Sequence, residues 1–223
     1  YNQFVLRKCL NENKDQSYVL YTMKEEILDK VLFPLGNFKS KEEIRKIAKE
    51  NNLVNVANKP DSEDICFIPD GNYKKFLENN GDIKPKPGNI VMNDGTILGK
   101  HNGLYNYTIG QRKGMGISYK EPLFVIGFNV RKNELIVGTM KEAFKKEAII
   151  SNVNILIKDI NIENLRVAVK TRYSKKESFA TLNVINEDKI KINFEEPEKS
   201  LTPGQSAVFY LDDVVVGGGI IEE

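Results

Sequence analysis

Arg166-Val167-Ala168-Val169-Lys170 and Lys189-Ile190-Lys191-Ile192-Asn193 alternate apolar residues with charged, polar or small ones. A period of two puts every second side chain on one face, which is the pattern of a half-buried strand. Working outward, Ala148–Ile157, Leu165–Tyr173, Phe179–Ile185, Lys189–Phe194, Ser206–Leu211 and Val214–Ile221 are all short β-rich runs. Six such strands inside residues 141–223 predict a closed antiparallel barrel. Gly217-Gly218-Gly219 lies within the last of them, where missing side chains permit a sharp bend or close backbone approach. No Lys-Ser/Thr follows the triplet and no helix is indicated, so the pattern of a phosphate loop is not met.

Upstream, residues 71–140 are also β-rich. Ile90-Val91 and Thr96–Leu98 flank Asn93-Asp94-Gly95, a strong hairpin signal. Leu123–Val130 and Glu134–Val137 flank Arg131-Lys132-Asn133, a second hairpin. Tyr73–Leu77 is expected to form a short helix. Residues 1–70 read as helical. Thr22-Met23-Lys24-Glu25 looks like a capping box ahead of Ile27, Leu28, Val31 and Leu32, and Ser40-Lys41-Glu42-Glu43 like a second one ahead of Ile44, Ile47 and Ala48. Two short helices are thin for an independent core, so this stretch reads as the end of a larger domain. The expected fold class is mixed α/β, mainly β, with domains at 1–70, 71–140 and 141–223.

Composition narrows the function classes. Lys and Arg number 33 against 31 Asp and Glu, a net charge of +2, which excludes a uniformly basic coat but not local basic patches. Apolar runs such as Leu123–Phe128 are far shorter than a bilayer span, and no secretory pattern appears. No membrane partner is therefore expected. Two cysteines do not make a disulfide framework and point to a reducing, cytoplasmic compartment. With one histidine they cannot supply the usual four zinc ligands.

Several segments carry candidate chemistry. Cys66 follows Pro60-Asp61-Ser62-Glu63-Asp64-Ile65 and precedes Phe67-Ile68-Pro69. It is open to two readings: a small apolar residue in a buried run, or a reactive thiol in a loop that needs a cationic partner against its acidic neighbours. Cys9 reads as structural. His101, beside Asn102-Gly103, reads as a turn residue, and a dyad with Cys66 has no further support. Lys14-Asp15-Gln16-Ser17-Tyr18 fits a helix start with an Asx or Ser cap, or an amide-and-aromatic group that reads a base edge; the cap is favoured. Tyr107–Gly116 and Lys170–Lys176 are basic, aromatic-laced segments of the kind that meet a nucleic-acid backbone.

Taken together, these segments resemble the tRNA-specific 2-thiouridylases. The matching residues are Asn13–Tyr18, Asp61–Ile68, His101–Leu104, Tyr107–Gly114, Lys170–Tyr173 and Thr202–Tyr210 with Gly217–Ile221. They run in the family's order along nearly the whole chain. The resemblance implies the helical end of an ATP-using PP-loop domain, a small central tRNA-binding domain and a C-terminal six-stranded barrel. It places the family's persulfide-forming cysteine on Cys66. Contacts to tRNA are implied at Lys14, Asp15 and Gln16 and at Arg172, Tyr173 and Gln205; Arg112 and Lys113 join them as candidate tRNA-binding cations of the basic Tyr107–Gly116 segment. A sulfur-relay protein would load Cys66, and its outer sulfur would attack carbon-2 of the wobble uridine. The family's Ser-Gly-Gly-x-Asp-Ser pyrophosphate loop and its first catalytic cysteine are absent from these residues. The expectation is that they neither bind ATP nor thiolate tRNA by themselves. The alternative is a free-standing RNA-binding barrel in which Cys66 is structural.

Overall fold

The computed structural model describes residues 2–58, 68, 71–81, 84–199 and 201–222. Cys66 lies outside the described residues, as does the whole acidic stretch before it, residues 60–65. The helices are α1 (Ser17–Leu20), α2 (Lys41–Glu50), α3 (Val54–Ala57), α4 (Tyr73–Asn80) and α5 (Met140–Ala143). The strands are β1 (Gly88–Met92), β2 (Ile97–His101), β3 (Phe124–Asn129), β4 (Glu134–Gly138), β5 (Phe144–Ile155), β6 (Arg166–Lys170), β7 (Ser178–Asn186), β8 (Lys189–Lys199), β9 (Ser206–Leu211) and β10 (Val214–Ile221). The chain divides into two compact units, residues 1–59 with 146–223, and residues 60–145.

In the first unit β10-β5-β8-β7-β6-β9 close into the expected six-stranded barrel. The alternation read from the sequence is the inside–outside pattern. Val167 and Val169 of β6, and Ile190, Ile192 and Phe194 of β8, fill the interior with Phe209, Val216 and Ile150. Two strands break the alternation: Ala207–Tyr210 and Val214–Gly219 are buried on consecutive positions. Consecutive burial requires cover on both faces. The N-terminal segment supplies it, with Leu6, Tyr18, Tyr21 and Leu28 forming a second core against Leu156, Val208, Tyr210 and Val215. Backbone bonds fix this docking, from Val215 N–H to Leu6 O at 2.9 Å and from Lys8 N–H to Asp213 O at 2.8 Å.

The glycine triplet makes the close approach that the sequence allowed. A Cβ at Gly218 would lie 2.6 Å from Ala207 O and 2.8 Å from the Tyr21 ring, and one at Gly219 would lie 2.7 Å from Ser151 O.

The capping boxes fare differently. At α2, Ser40 Oγ accepts from Glu43 N–H at 3.3 Å, while the Glu43 carboxylate reaches past Ser40 to Lys39 N–H at 3.2 Å. The box expected at Thr22 does not form. Thr22 Oγ1 donates to Val19 O, and Asn154 Nδ2 grips Tyr21 O and Met23 O at 2.6 and 2.8 Å. The chain is therefore held in a turn, and a 3-10 helix over Glu25–Lys30 buries only Leu28 in place of the α-helix expected through Leu32.

In the second unit the sheet order is β2-β1-β4-β3, with β1 and β4 parallel and the outer pairs antiparallel. Both predicted hairpins are present. Their turns use Gly95 at φ 89° and Asn133 at φ 55°, the left-handed conformations that Gly and Asn tolerate best. Ile90, Val125, Leu135 and Val137 centre the core. Helix α4 extends the predicted Tyr73–Leu77 to Asn80, with Asn72 Oδ1 capping Lys75 N–H at 3.0 Å.

Candidate nucleic-acid interface

Lys14, Asp15 and Gln16 are consecutive in sequence but differ in what they face. Asp15 is only 6% exposed. Its Oδ1 accepts from Cys9 N–H at 3.1 Å and Ser17 N–H at 3.2 Å, and its Oδ2 from the Ser17 hydroxyl at 2.6 Å. This is the Asx turn that starts α1. The Ser17 hydroxyl also meets Tyr210 OH at 3.2 Å, so the turn is tied to β9. Burial pushes the Tyr210 phenol above its ordinary range, and Lys8 Nζ stands 4.3 Å from its ring centre. Lys14 and Gln16, on either side, point to solvent.

Gln16 makes the link that the sequence concealed. Its Nε2 donates to Tyr173 OH at 2.7 Å, across 157 positions of chain. The Tyr173 ring is 42% exposed and stands edge-on to Tyr18, with centroids 6.2 Å apart. Lys170 Nζ lies 5.6 Å from the Tyr173 ring and 6.0 Å from the Tyr18 ring. Tyr18 OH donates to Ser206 O at 2.9 Å, next to exposed Gln205. Burial raises the Tyr18 phenol, so it remains a donor at neutral pH. Arg172 Nη2 donates to Thr202 Oγ1 at 2.6 Å, which joins the loop after β6 to the loop before β9. Gln16, Arg172 and Tyr173 therefore cluster beside the strand that follows Gln205, and Lys170 and Tyr18 complete the group. An amide, an exposed ring and two cations on one face can stack a base and neutralise phosphate. Residue composition flagged the Lys170–Lys176 segment, but not that Lys170 would stand beside two paired rings.

Arg112 and Lys113 belong to the second unit, on the loop before β3, and both are exposed. Gln111 holds this loop in shape. Its Oε1 accepts from Thr108 N–H at 3.1 Å and its Nε2 donates to Lys113 O at 2.8 Å, while buried Met115 anchors the far end. Gly110, Gly114 and Gly116 take positive φ. Arg112 also borders a shallow open depression with Ile117, Tyr119 and Lys120.

His101 is a structural residue. It is 1% exposed, its Nδ1 accepts from Gly103 N–H at 3.0 Å, and its Nε2 therefore carries the proton shared with Asn133 O at 3.1 Å. Both ring nitrogens are committed, so no lone pair is available to a nucleophile. Cys9 donates its thiol to Asn11 O at 3.0 Å, and burial, reinforced by Asp15, raises its pKa. That disfavours the thiolate and agrees with a structural Cys9. The described residues contain no cluster of three or more His, Cys, Asp or Glu fit to hold a metal, and none of their helices is long and apolar enough to cross a membrane.

Comparison with known proteins gives this arrangement its family. Three family models match in order: a tRNA methyl transferase HUP domain over residues 1–70, a tRNA methyl transferase PRC-barrel domain over 74–139, and an aminomethyltransferase beta-barrel domain over 145–221. The tRNA-specific 2-thiouridylase MnmA of Acetivibrio thermocellus is 44% identical over 220 residues, covering 99% of this chain and 61% of the relative. The protein of the same name from Clostridioides difficile is 44% identical over 221 residues, and that from Halothermothrix orenii 43% over 219, each again matched over 61% of its length. The chain belongs to the tRNA-specific 2-thiouridylase family. It spans about three fifths of the length of the relatives it matches.

Proposed function

We propose that this chain is the tRNA-docking and sulfur-carrying part of a tRNA 2-thiouridylase. The observation that carries the reading is the match to proteins of that name along 99% of the chain. The cluster of Gln16, Tyr18, Lys170, Arg172 and Tyr173 supports it, because a docking face needs rings, amides and cations together. Lys14, Gln205, Arg112 and Lys113 are further docking residues, all exposed. Asp15 serves the same surface from below, by holding the turn that displays its two neighbours.

Cys66 is the sulfur carrier in this proposal. A partner sulfur-relay protein passes the outer sulfur of its own persulfide to the Cys66 thiol and is left as a thiol; the resulting Cys66 persulfide is a better nucleophile near neutral pH than the thiol. The outer sulfur bonds to carbon-2 of the wobble uridine after the ATP-dependent step has activated it, the base oxygen leaves bonded to the activating group, and a second thiol, from the part of the enzyme outside this chain, attacks the Cys66 sulfur, forming a disulfide with it and releasing the thiolated base. The base must be unstacked for this attack. ATP use belongs to the whole enzyme. The glycine triplet is crowded by Ala207 O and Ser151 O and leaves no room there for a phosphate.

The test is sulfur loading. Incubation with a persulfide donor is expected to add sulfur to Cys66, detected by mass spectrometry, and to add none in Cys66→Ser. Equal loading of both proteins would refute the assignment and favour a free-standing RNA-binding module. The family models carry methyl-transfer names, so the product of the whole enzyme must also be weighed: oxygen exchanged for sulfur, not an added methyl group.

A further inference from the structure

Glu198 is a carboxylate only 3% exposed, on β8 just after Pro197. It accepts a hydrogen bond from Ser178 Oγ at 2.6 Å, forms an ion pair with Lys175, and meets Thr171 Oγ1 at 3.5 Å. These partners stand at the start, middle and end of the 171–178 connection between β6 and β7. That connection carries Arg172 and Tyr173. Other bonds complete its frame: Lys8 pairs with Glu177 at 2.6 Å, Arg172 reaches Thr202, and Tyr173 reaches Gln16.

Burying a carboxylate is expensive, and pairing returns the cost at best in part. An apolar side chain would close this end of the barrel with less penalty. What a charge adds is a fixed geometry for the groups that bind it. The surroundings fit that role. Burial lowers the pKa of Lys175, the cation paired with Glu198, and the charges of Arg172 and Lys199 lower it further.

We propose that Glu198 is a positioning residue for tRNA docking, holding the 171–178 loop in the shape that presents Arg172 and Tyr173. The inference rests on the docking reading above. It also makes a prediction opposite in sign to simple charge counting. Glu198→Gln raises the net charge by one, so electrostatics alone predicts tighter tRNA binding. Loss of the clamp predicts weaker binding.

The experiment measures binding of unfractionated tRNA by the full chain and its variants at two salt concentrations. Glu198→Gln is expected to bind about ten-fold more weakly while unfolding cooperatively, and Ser178→Ala, which leaves the charge unchanged, about three-fold more weakly. In an Arg172→Ala/Tyr173→Ala background Glu198→Gln should add no further loss, whereas in a Lys113→Ala background it should keep its full effect. A general weakening of the barrel would act equally in both backgrounds and would overturn the proposal. Unchanged or tighter binding by Glu198→Gln would overturn it too. If Glu198→Gln fails to fold, Ser178→Ala decides by the same comparison. If Arg172→Ala/Tyr173→Ala binds normally, or the parent chain binds no tRNA, the docking reading fails and this inference with it.

Discussion

Replacing Asp15 separates two roles that adjacent residues play. Asp15→Ala removes the acceptor for two backbone N–H groups, at 3.1 and 3.2 Å, and for the Ser17 hydroxyl at 2.6 Å. Ser17 keeps Tyr210 as a partner, so the main loss is the two amides. Hydrogen bonds to a charged group contribute about 1.5–3 kcal/mol each and do not add fully, so a loss of about 3 kcal/mol is expected. For a unit of this size that lowers Tm by about 6–12 °C. Asp15→Asn keeps Oδ1 for both amides, and its Nδ2 can donate to Ser17 Oγ, so it should lose only about 1 kcal/mol. Gln16→Ala touches an exposed group and should alter stability by no more than about 0.5 kcal/mol while weakening tRNA binding. Differential scanning calorimetry and tRNA titration of the three variants make the comparison. If Asp15→Ala loses tRNA affinity at unchanged Tm, the carboxylate meets RNA directly and the turn argument is wrong.

Three other substitutions and reactions test the framework. His101→Ala orphans Gly103 N–H and Asn133 O and should destabilise the second unit by about 3 kcal/mol, read by denaturant unfolding; a loss below about 0.5 kcal/mol would contradict a structural histidine. Gly218→Ala drives a methyl group to within 2.6 Å of Ala207 O and should abolish barrel folding or cost at least about 3 kcal/mol; native-like circular dichroism and Tm would contradict the close approach. Cys9 has a raised pKa, so its thiolate is scarce at neutral pH and its alkylation should accelerate only above the pH range of an ordinary thiol; fast iodoacetamide labelling of Cys9 in Cys66→Ser at pH 7 would contradict this.

The barrel was legible because its strands are mostly covered on one face. Arg166–Lys170 and Lys189–Asn193 had to alternate, and the turn residues Asn93-Asp94-Gly95 and Asn133 punctuated the smaller sheet. The N-terminal segment was not legible in the same way. Thr22 to Leu32 has helical spacing, yet Asn154, more than a hundred residues away, holds the backbone in a turn. One signal did exist: the unbroken apolar run Ala207–Tyr210 announces a strand covered on both faces, and the cover is Tyr18 and Tyr21. The site divides similarly. Family resemblance singled out Gln16 and Tyr173, but only folding puts the amide on the phenol. Glu198 sits in Glu195-Glu196-Pro197-Glu198-Lys199, which reads as a solvated charged stretch, and nothing local distinguishes the one glutamate that turns inward.

The proposed function places tRNA docking on the face around Tyr173. Titration of the chain with tRNA over a range of salt concentrations tests it most directly. Binding is expected to weaken steeply with salt, with Arg172→Ala lowering affinity and flattening the salt dependence by about one phosphate contact. Binding by Arg172→Ala equal to that of the parent, with the same salt slope, would contradict it.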